Sequence, residues 1–457
     1  DIRGCCRNTF SAALFYFLPS KQNDMEIREL HQVFLHNPSV VIDSRKAHPG
    51  SLFFGLRGNN NEGGAYAEDA LSKGCTLAIV DKKEHVVSEK CLLVSDVLET
   101  LQQLASYHRR QFSIPVIGIT GSNGKTTTKE LIAAVLSRKK KVVFTEGNLN
   151  NHIGVPLTLL RINSETEIAV IEMGANHPGE IDFLCRLSLP SYGLITTIGR
   201  AHLEGFGSLE GVIEAKTELY RFLAETGGTV FLNAENTLLL EQVLSLNLKK
   251  ITYGSKPDCD CWGQLIPEDP FLSFNLYSSA SSEVHSIKTN LVGQYNFANA
   301  MAAICAGKYF GIPEKEICSA IEQFVPQNNR SQFQKTRYNE LILDMYNANP
   351  SSMEAALLYF ASLSHPRKVV ILGDMLELGS FAREEHSRIL RLAQTLPVLK
   401  IITVGPEFLN ASQEEKTTAF VSTDELIKEL KRNPLKEYQI LIKGSRGMAL
   451  DKVLPYL

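Results

Sequence analysis

The chain has 457 residues, 44% of them hydrophobic, with 47 basic and 50 acidic side chains and a formal net charge of −3. That length exceeds what one core serves and suggests about three domains, and the balanced charge offers no electrostatic case for a nucleic-acid partner. No apolar run approaches the ~20 residues of a membrane-crossing helix, and nine scattered cysteines without Cys-x-x-Cys spacing argue against a zinc site and fit a reducing cytoplasm.

The apolar stretch Phe10–Leu18 follows Arg3 and Arg7 in the manner of a signal peptide but lacks a small-residue cleavage pattern. The expectation is that Met25 starts the functional chain and that residues 1–24 are an extension without a role. Residues 25–112 then carry short strands at Val40–Ile42, Leu52–Phe54, Leu77–Val80 and Leu92–Val94, followed by a helix from Val97 to Gln111.

A second block, 113–326, alternates strands and helices as a doubly wound sheet requires. Its strands read Val116–Thr120, Val142–Thr145, Ile168–Glu172, Gly193–Ile198 and Val230–Asn233. Between the first strand and a helix lies Gly118-Ile-Thr-Gly-Ser-Asn-Gly-Lys-Thr-Thr-Thr128, a variant P-loop with Ile119 where the strict pattern has glycine. A glycine-rich turn there aims backbone N–H groups and a helix N-terminus at phosphate oxygens, with Lys125 as a point charge and the Thr126 hydroxyl placed for Mg²⁺. The chain is therefore expected to handle a nucleoside triphosphate. Arg138–Lys141 reads as cations closing that helix.

Asn148, Asn150 and Asn151 fall in a polar loop after the next strand, where they hydrogen-bond a substrate or serve as turn residues. Glu172 ends a buried strand, as a metal-binding acid does; a turn or capping carboxylate is the other reading. His202 follows a strand too, and imidazole is a good metal ligand. On the helix from Leu209 to about Ala224, Val212, Ala215, Leu219 and Leu223 form an apolar stripe. Glu214, Thr217, Glu218 and Arg221 fall on the opposite face. Lys216 is the one charged residue expected on the apolar side. Either its stem snorkels to water, or burial keeps the amine neutral enough to react with CO₂, giving an anionic carbamate that ligates a second Mg²⁺. Hairpin-like alternation spans about 258–292, and a helix from Asn296 to Tyr309 closes the block.

The third block, 327–457, repeats the α/β pattern with strands Leu341–Asp344, Lys368–Leu372, Lys400–Val404 and Gln439–Ile442. Each runs into a polar or glycine-bearing turn, where ligands of open α/β sheets collect.

Several motifs together resemble the ATP-dependent Mur ligases of peptidoglycan synthesis. They are Thr120-Gly-Ser-Asn-Gly-Lys-Thr126, Ile171-Glu-Met-Gly-Ala-Asn176, Ala201-His-Leu-Glu-Gly-Phe-Gly207 and Glu214-Ala-Lys216. Tyr346-Asn-Ala-Asn-Pro350, Gly373-Asp-Met-Leu-Glu-Leu-Gly379 and Lys443-Gly-Ser-Arg446 are similar to the members that add D-alanyl-D-alanine, and the Asp-Asn-Pro-Arg motif of the diamino-acid-adding members is missing. The resemblance implies a three-domain α/β fold: a small N-terminal UDP-substrate domain, a central P-loop-type doubly wound ATPase and a Rossmann-like C-terminal domain. It implies a cytoplasmic ATP-dependent ligase acting on UDP-N-acetylmuramoyl-tripeptide and D-alanyl-D-alanine through an acyl phosphate, expected to be a monomer without membrane or nucleic-acid partners.

It also implies residue roles. Gly121, Ser122, Asn123, Gly124, Lys125, Thr126 and Thr127 would hold ATP phosphates, Asn296 and Asn299 would lie beside the adenine, and Arg330 and Asp344 would reach phosphate and ribose. Thr126, Glu172, His202 and carbamylated Lys216 would serve two Mg²⁺ ions. Ser44 and Arg45 would meet the uridine moiety; Asn347, Asn349, Lys443, Ser445 and Arg446 would join Asn148, Asn150 and Asn151 in substrate binding. The chain departs from the family after Gly58, where Asn-Asn-Asn replaces Asp-Gly-His, at Asn329-Arg330 for Gly-Arg, and at Met345, where serine is frequent. Alternatives are another amide ligase of the superfamily, such as a diamino-acid-adding or folylpolyglutamate-type enzyme, or a non-catalytic nucleotide switch.

Overall fold

The structure is a computed structural model that describes residues 25–58, 61–267, 270–278, 283–326, 330–411 and 417–457. The expected extension 1–24 and the departures at Asn59, Asn60 and Asn329 lie outside the described residues. Three sheets organise the chain, and their contacts divide it into two compact units.

The first unit holds four parallel strands in sequential order: β1 (Val40–Val41), β2 (Leu52–Phe54), β3 (Leu77–Val80) and β4 (Cys91–Leu93). Strand β3 is buried throughout, which is why it reads as an unbroken apolar run and not as an alternation. The helix Ile27–His36, which the sequence reading passed over, packs against the helix Val97–Arg109. His31 Nε2 meets His108 Nδ1 at 3.0 Å inside that contact.

Residues 148–165 and 187–189 belong to this unit, although the block pattern along the chain assigned them to the central one. The cause is packing: the helix Gly154–Leu159 buries Val155 and Leu159 and lies against Val97–Arg109. His108 Nε2 reaches the Ile162 carbonyl at 2.7 Å and Gln102 donates to the His152 carbonyl. Arg109, buried, donates to the Ser188 carbonyl at 2.9 Å and to the Ile114 carbonyl at 3.2 Å.

The second unit contains the other two sheets. The nine-stranded sheet is built from β5 (Val116–Thr120), β6 (Val142–Phe144), β7 (Ile168–Glu172), β8 (Tyr192–Ile195), β9 (Thr229–Asn233), β10 (Lys249–Gly254), β11 (Cys261–Ile266), β12 (Phe271–Tyr277) and β13 (Val284–Val292). Its order is β13-β12-β11-β10-β9-β8-β5-β7-β6. Pairing is parallel from β6 to β11 and antiparallel through β12 and β13. The core joins this sheet to the helices Lys125–Leu136 and Phe297–Tyr309 through Ile117, Ile119, Leu131, Val135, Met301 and Ile304. Strand order reverses beside β5, so the crevice at its carboxyl end is where such a sheet receives a ligand.

The six-stranded sheet comprises β14 (Gln332–Lys335), β15 (Glu340–Asp344), β16 (Lys368–Gly373), β17 (Lys400–Val404), β18 (Thr417–Phe420) and β19 (Gln439–Lys443), in the order β14-β15-β19-β16-β17-β18. Only β14 runs antiparallel. Strands β10, β14 and β18 were not foreseen. The first opens on two exposed lysines, and the other two are short, partly exposed edge strands without an apolar run to announce them. Among the described residues no helix is long and apolar enough to cross a membrane.

Candidate nucleotide and metal site

The turn between β5 and the helix Lys125–Leu136 depends on two glycines with positive φ. At Gly121 (φ 140°) a Cβ would stand 2.1 Å from Thr196 Oγ1, and at Gly124 (φ 81°) 2.6 Å from Asn299 Oδ1. Any side chain there would push the loop off its supports. Those supports come from the end of β8: Ser122 N–H donates to the Thr197 carbonyl at 2.7 Å, Asn123 N–H to Thr197 Oγ1 at 3.1 Å, and Ser122 Oγ to the Gly199 carbonyl at 3.0 Å. Asn299 Oδ1 accepts from Thr128 Oγ1 at 3.0 Å, and Asn299 Nδ2 donates to Asn296 Oδ1 at 2.9 Å, so both asparagines brace the loop from behind.

The result is a rigid turn with the first-turn amides of Lys125, Thr126 and Thr127 beyond reach of any helical carbonyl, the usual anion receptor. Lys125 Nζ donates to the Gly121 carbonyl at 2.6 Å and lies 3.4 Å from that of Ser122. Burial pushes its pKa down, and an anion beside it would restore the charged form.

Thr126 Oγ1 donates to Glu172 Oε1 at 3.1 Å. Both are buried, and β7 runs beside β5, which carries the acid to the loop. Lys129 Nζ lies 3.9 Å from Glu172 Oε2 and 3.5 Å from Glu130. The sequence reading missed this lysine. Its signal was spacing: one helical turn beyond Lys125, it shares that residue's face.

Lys216 is 1% exposed, which rules out snorkelling. Its Nζ donates to the Ala175 carbonyl at 3.2 Å and lies 5.1 Å from the Phe206 ring centroid. Burial first, then the charge of Lys125, lowers its pKa to about 7, so much of it is a neutral nucleophilic amine near neutral pH. One expectation about this helix fails: Thr217 and Glu218 are buried, not solvated. Glu218 accepts from the N–H groups of Gly179 (2.6 Å) and Asp182 (2.8 Å), the orphan amides that open the helix Glu180–Ser188. Helical spacing marks faces but not a neighbouring helix end that needs an acceptor.

His202 adopts a left-handed backbone (φ 52°), which costs a non-glycine residue about 1–2 kcal/mol. Glu377, from the loop after β16, brings Oε2 to 2.5 Å from its Nδ1. The His202 ring holds the Glu377 carboxyl below the usual carboxylate range.

The six-stranded sheet meets the phosphate loop directly. Asn349 caps the helix Pro350–Ser362 by accepting from Ser352 N–H, and its Nδ2 donates to Asn123 Oδ1 at 2.8 Å. Arg200 pairs with Glu385 at 2.6 Å. Arg330 lays its guanidinium 3.5 Å from the Tyr346 ring centroid. Lys443, 1% exposed, holds Asp344 Oδ2 at 2.5 Å, and Ser445 Oγ accepts from Leu376 N–H at 3.0 Å. Asn349, Lys443 and Ser445, expected as substrate contacts, are thus buried and committed to scaffolding, while Asn347 and Arg446 are exposed.

In the first unit, Asn151 Oδ1 accepts from Ile153 and Gly154 N–H, the turn role left open for it; Asn148 is exposed and Asn150 half-buried. Ser44 is buried, its carbonyl accepting from Lys73 Nζ, and the exposed Arg45 pairs with Asp43 at 2.8 Å.

A P-loop-type sheet that meets a Rossmann-like sheet through Asn123 and Asn349, with an acid held at the loop by Thr126, is the architecture of an ATP-dependent ligase. Residues 38–111, 119–307 and 329–446 match, in turn, the Mur ligase family catalytic domain, the Mur ligase middle domain and the Mur ligase glutamate ligase domain. The chain belongs to the Mur ligase family. It is 34% identical over 441 residues to the UDP-N-acetylmuramoyl-tripeptide–D-alanyl-D-alanine ligase of Bacillus subtilis, covering 93% of this chain and 94% of that one. Against the Escherichia coli enzyme of the same name the identity is 32%, over 95% and 97% of the two chains. A crystal structure of MurF from Acinetobacter baumannii superposes with a TM-score of 0.81 at 29% identity, covering 93% of this chain and 97% of that one.

Proposed function

We propose that this chain joins the amine of D-alanyl-D-alanine to the terminal carboxylate of UDP-N-acetylmuramoyl-tripeptide, in the cytoplasm and at the expense of ATP. The end-to-end likeness to the Bacillus subtilis enzyme carries this reading. The substrate carboxylate attacks the γ-phosphorus of ATP and the bond to the β,γ-bridging oxygen breaks, giving an acyl phosphate and ADP. The dipeptide amine then attacks the acyl carbon, and inorganic phosphate leaves as the amine gives up a proton. Phosphoryl transfer of this kind needs charge compensation and alignment more than covalent help.

Lys125 would exchange its loop carbonyls for phosphate oxygens, and the amides of Lys125, Thr126 and Thr127 would take the remaining charge. Gly121, Ser122, Asn123 and Gly124 hold the turn in shape; Asn296 and Asn299 back it on the adenine side. Arg330 and Asp344 would reach phosphate and ribose, Ser44 and Arg45 the uridine moiety, and Asn347 and Arg446 the incoming dipeptide.

The donor set fits divalent cations. Thr126 and Glu172 are hard oxygen donors in contact with each other, and the near-neutral buried amine of Lys216 has the form that takes up CO₂. Thr126 and Glu172 would hold one Mg²⁺; His202 and a carbamate on Lys216 would hold a second. Bound there, the cations supply charge neutralisation at the transferring phosphoryl group.

The test is ADP release and product mass with purified enzyme, UDP-tripeptide and a panel of amines. D-alanyl-D-alanine should stimulate turnover far above L-lysine, meso-diaminopimelate or glutamate; stimulation by one of those instead overturns the substrate choice.

A further inference from the structure

Two loops from different sheets meet with Glu377 Oε2 against His202 Nδ1 at 2.5 Å. Both residues hold left-handed backbones without being glycine, at φ 63° and 52°. Strained residues facing each other persist only where their surroundings over-determine them, and such pairs collect at working sites.

The surroundings here do so. Asp374 accepts from the N–H groups of Glu407 and Phe408, both at 2.9 Å. Met375 N–H donates to His386 Nε2 at 2.9 Å, and Leu376 N–H to Ser445 Oγ at 3.0 Å. On the opposite side, Glu204 N–H donates to the Glu377 carbonyl at 3.3 Å, and a Cβ on Gly379 would stand 3.1 Å from Glu204 Cγ. The loop is thus fixed to its own sheet on one flank and to the His202 segment on the other.

A neutral imidazole has one N–H and one lone pair. A carboxylate this close to Nδ1 favours the proton there by its charge, leaves Nε2 as the donor atom for a cation, and makes the ring a better donor. We propose that Glu377 is a positioning residue that sets the tautomer and orientation of His202 for its divalent cation. Because Glu377 belongs to the six-stranded sheet, cation affinity at His202 then depends on that sheet being docked, which ties the sheet proposed to receive the amine to the phosphoryl-transfer centre. This inference rests on the reading of His202 as a metal ligand.

The experiment uses the full chain with Mn²⁺ and a non-hydrolysable ATP analogue in bicarbonate buffer, counting bound Mn²⁺ by electron paramagnetic resonance and reading the histidine tautomer from ring ¹⁵N shifts. Glu377→Gln and Glu377→Ala should weaken one Mn²⁺ site about tenfold or more, shift the His202 ring nitrogens, and leave the melting midpoint within a few degrees of the parent. Glu377→Asp should recover part of the affinity. Unchanged Mn²⁺ affinity and ring shifts in Glu377→Ala, with the site lost in His202→Ala, overturn the role of Glu377 alone. Unchanged affinity in His202→Ala overturns the ligand assignment itself, and this inference with it.

Discussion

The phosphate loop and the Lys443–Arg446 turn both follow parallel strands at their carboxyl ends, and both read in sequence as ligand-binding motifs. They do different work. In the first, hydrogen bonds to the segment after β8 hold the backbone and Asn299 takes the Thr128 hydroxyl, while the amides of the first helical turn and the Thr126–Glu172 pair stay grouped at one spot. In the second, Lys443 and Ser445 are consumed internally, one by Asp344 and one by Leu376 N–H, and only Arg446 is left exposed. A polar motif at a strand end stays open to a ligand where backbone amides and hard oxygen donors remain grouped at one spot. It becomes scaffold where its side chains are spent on a neighbouring carboxylate and backbone.

Four substitutions would break or sharpen that contrast. The largest effect is expected for Lys216→Ala: loss of the proposed cation ligand should lower turnover about 10²–10³-fold, with the fold intact by circular dichroism. Near-normal activity in bicarbonate-depleted buffer would remove the carbamate from the scheme. Thr126→Val should come next, weakening Mg²⁺-dependent ATP binding while melting changes little, because Glu172 keeps Lys129 nearby; calorimetric titration with and without Mg²⁺ checks it.

Ser445→Ala should behave as a scaffold lesion. It leaves the Leu376 N–H without its acceptor, costing about 1–3 kcal/mol in chemical denaturation. A rise in the dipeptide KM with unchanged stability would instead make Ser445 a substrate contact. Smallest is Asn349→Ala, which removes a helix cap worth about 1 kcal/mol together with the link to Asn123. Its mark should be a modest fall in melting temperature and a slightly raised KM for ATP.

Legibility in the sequence followed how much of the signal was local. The strands β2, β3, β5, β7 and β17 have the ends their apolar runs suggested, and the strand–glycine–helix junction declared the phosphate loop without tertiary information. Lys216 was visible as a charge on an apolar stripe, but its environment was not: a lysine that snorkels has the same spacing. The parts played by Glu218, Lys129 and Glu377 were not legible because each is defined by a partner distant in sequence, at Gly179, Glu172 and His202. Asn349 and Ser445 stand in family motifs, yet a motif does not tell whether a side chain touches ligand or neighbouring backbone.

The return of residues 148–165 and 187–189 to the first unit bears on how the protein is made. A ribosome delivers the four strands of that unit before the segments that cover the Val97–Arg109 helix and satisfy Arg109. Its apolar flank therefore stays open until residues 148–165 have emerged, and Arg109 lacks its Ser188 acceptor until β5, β6 and β7 are outside as well. The first unit therefore cannot finish folding until part of the second has been made, and a fragment ending near residue 114 should aggregate rather than fold.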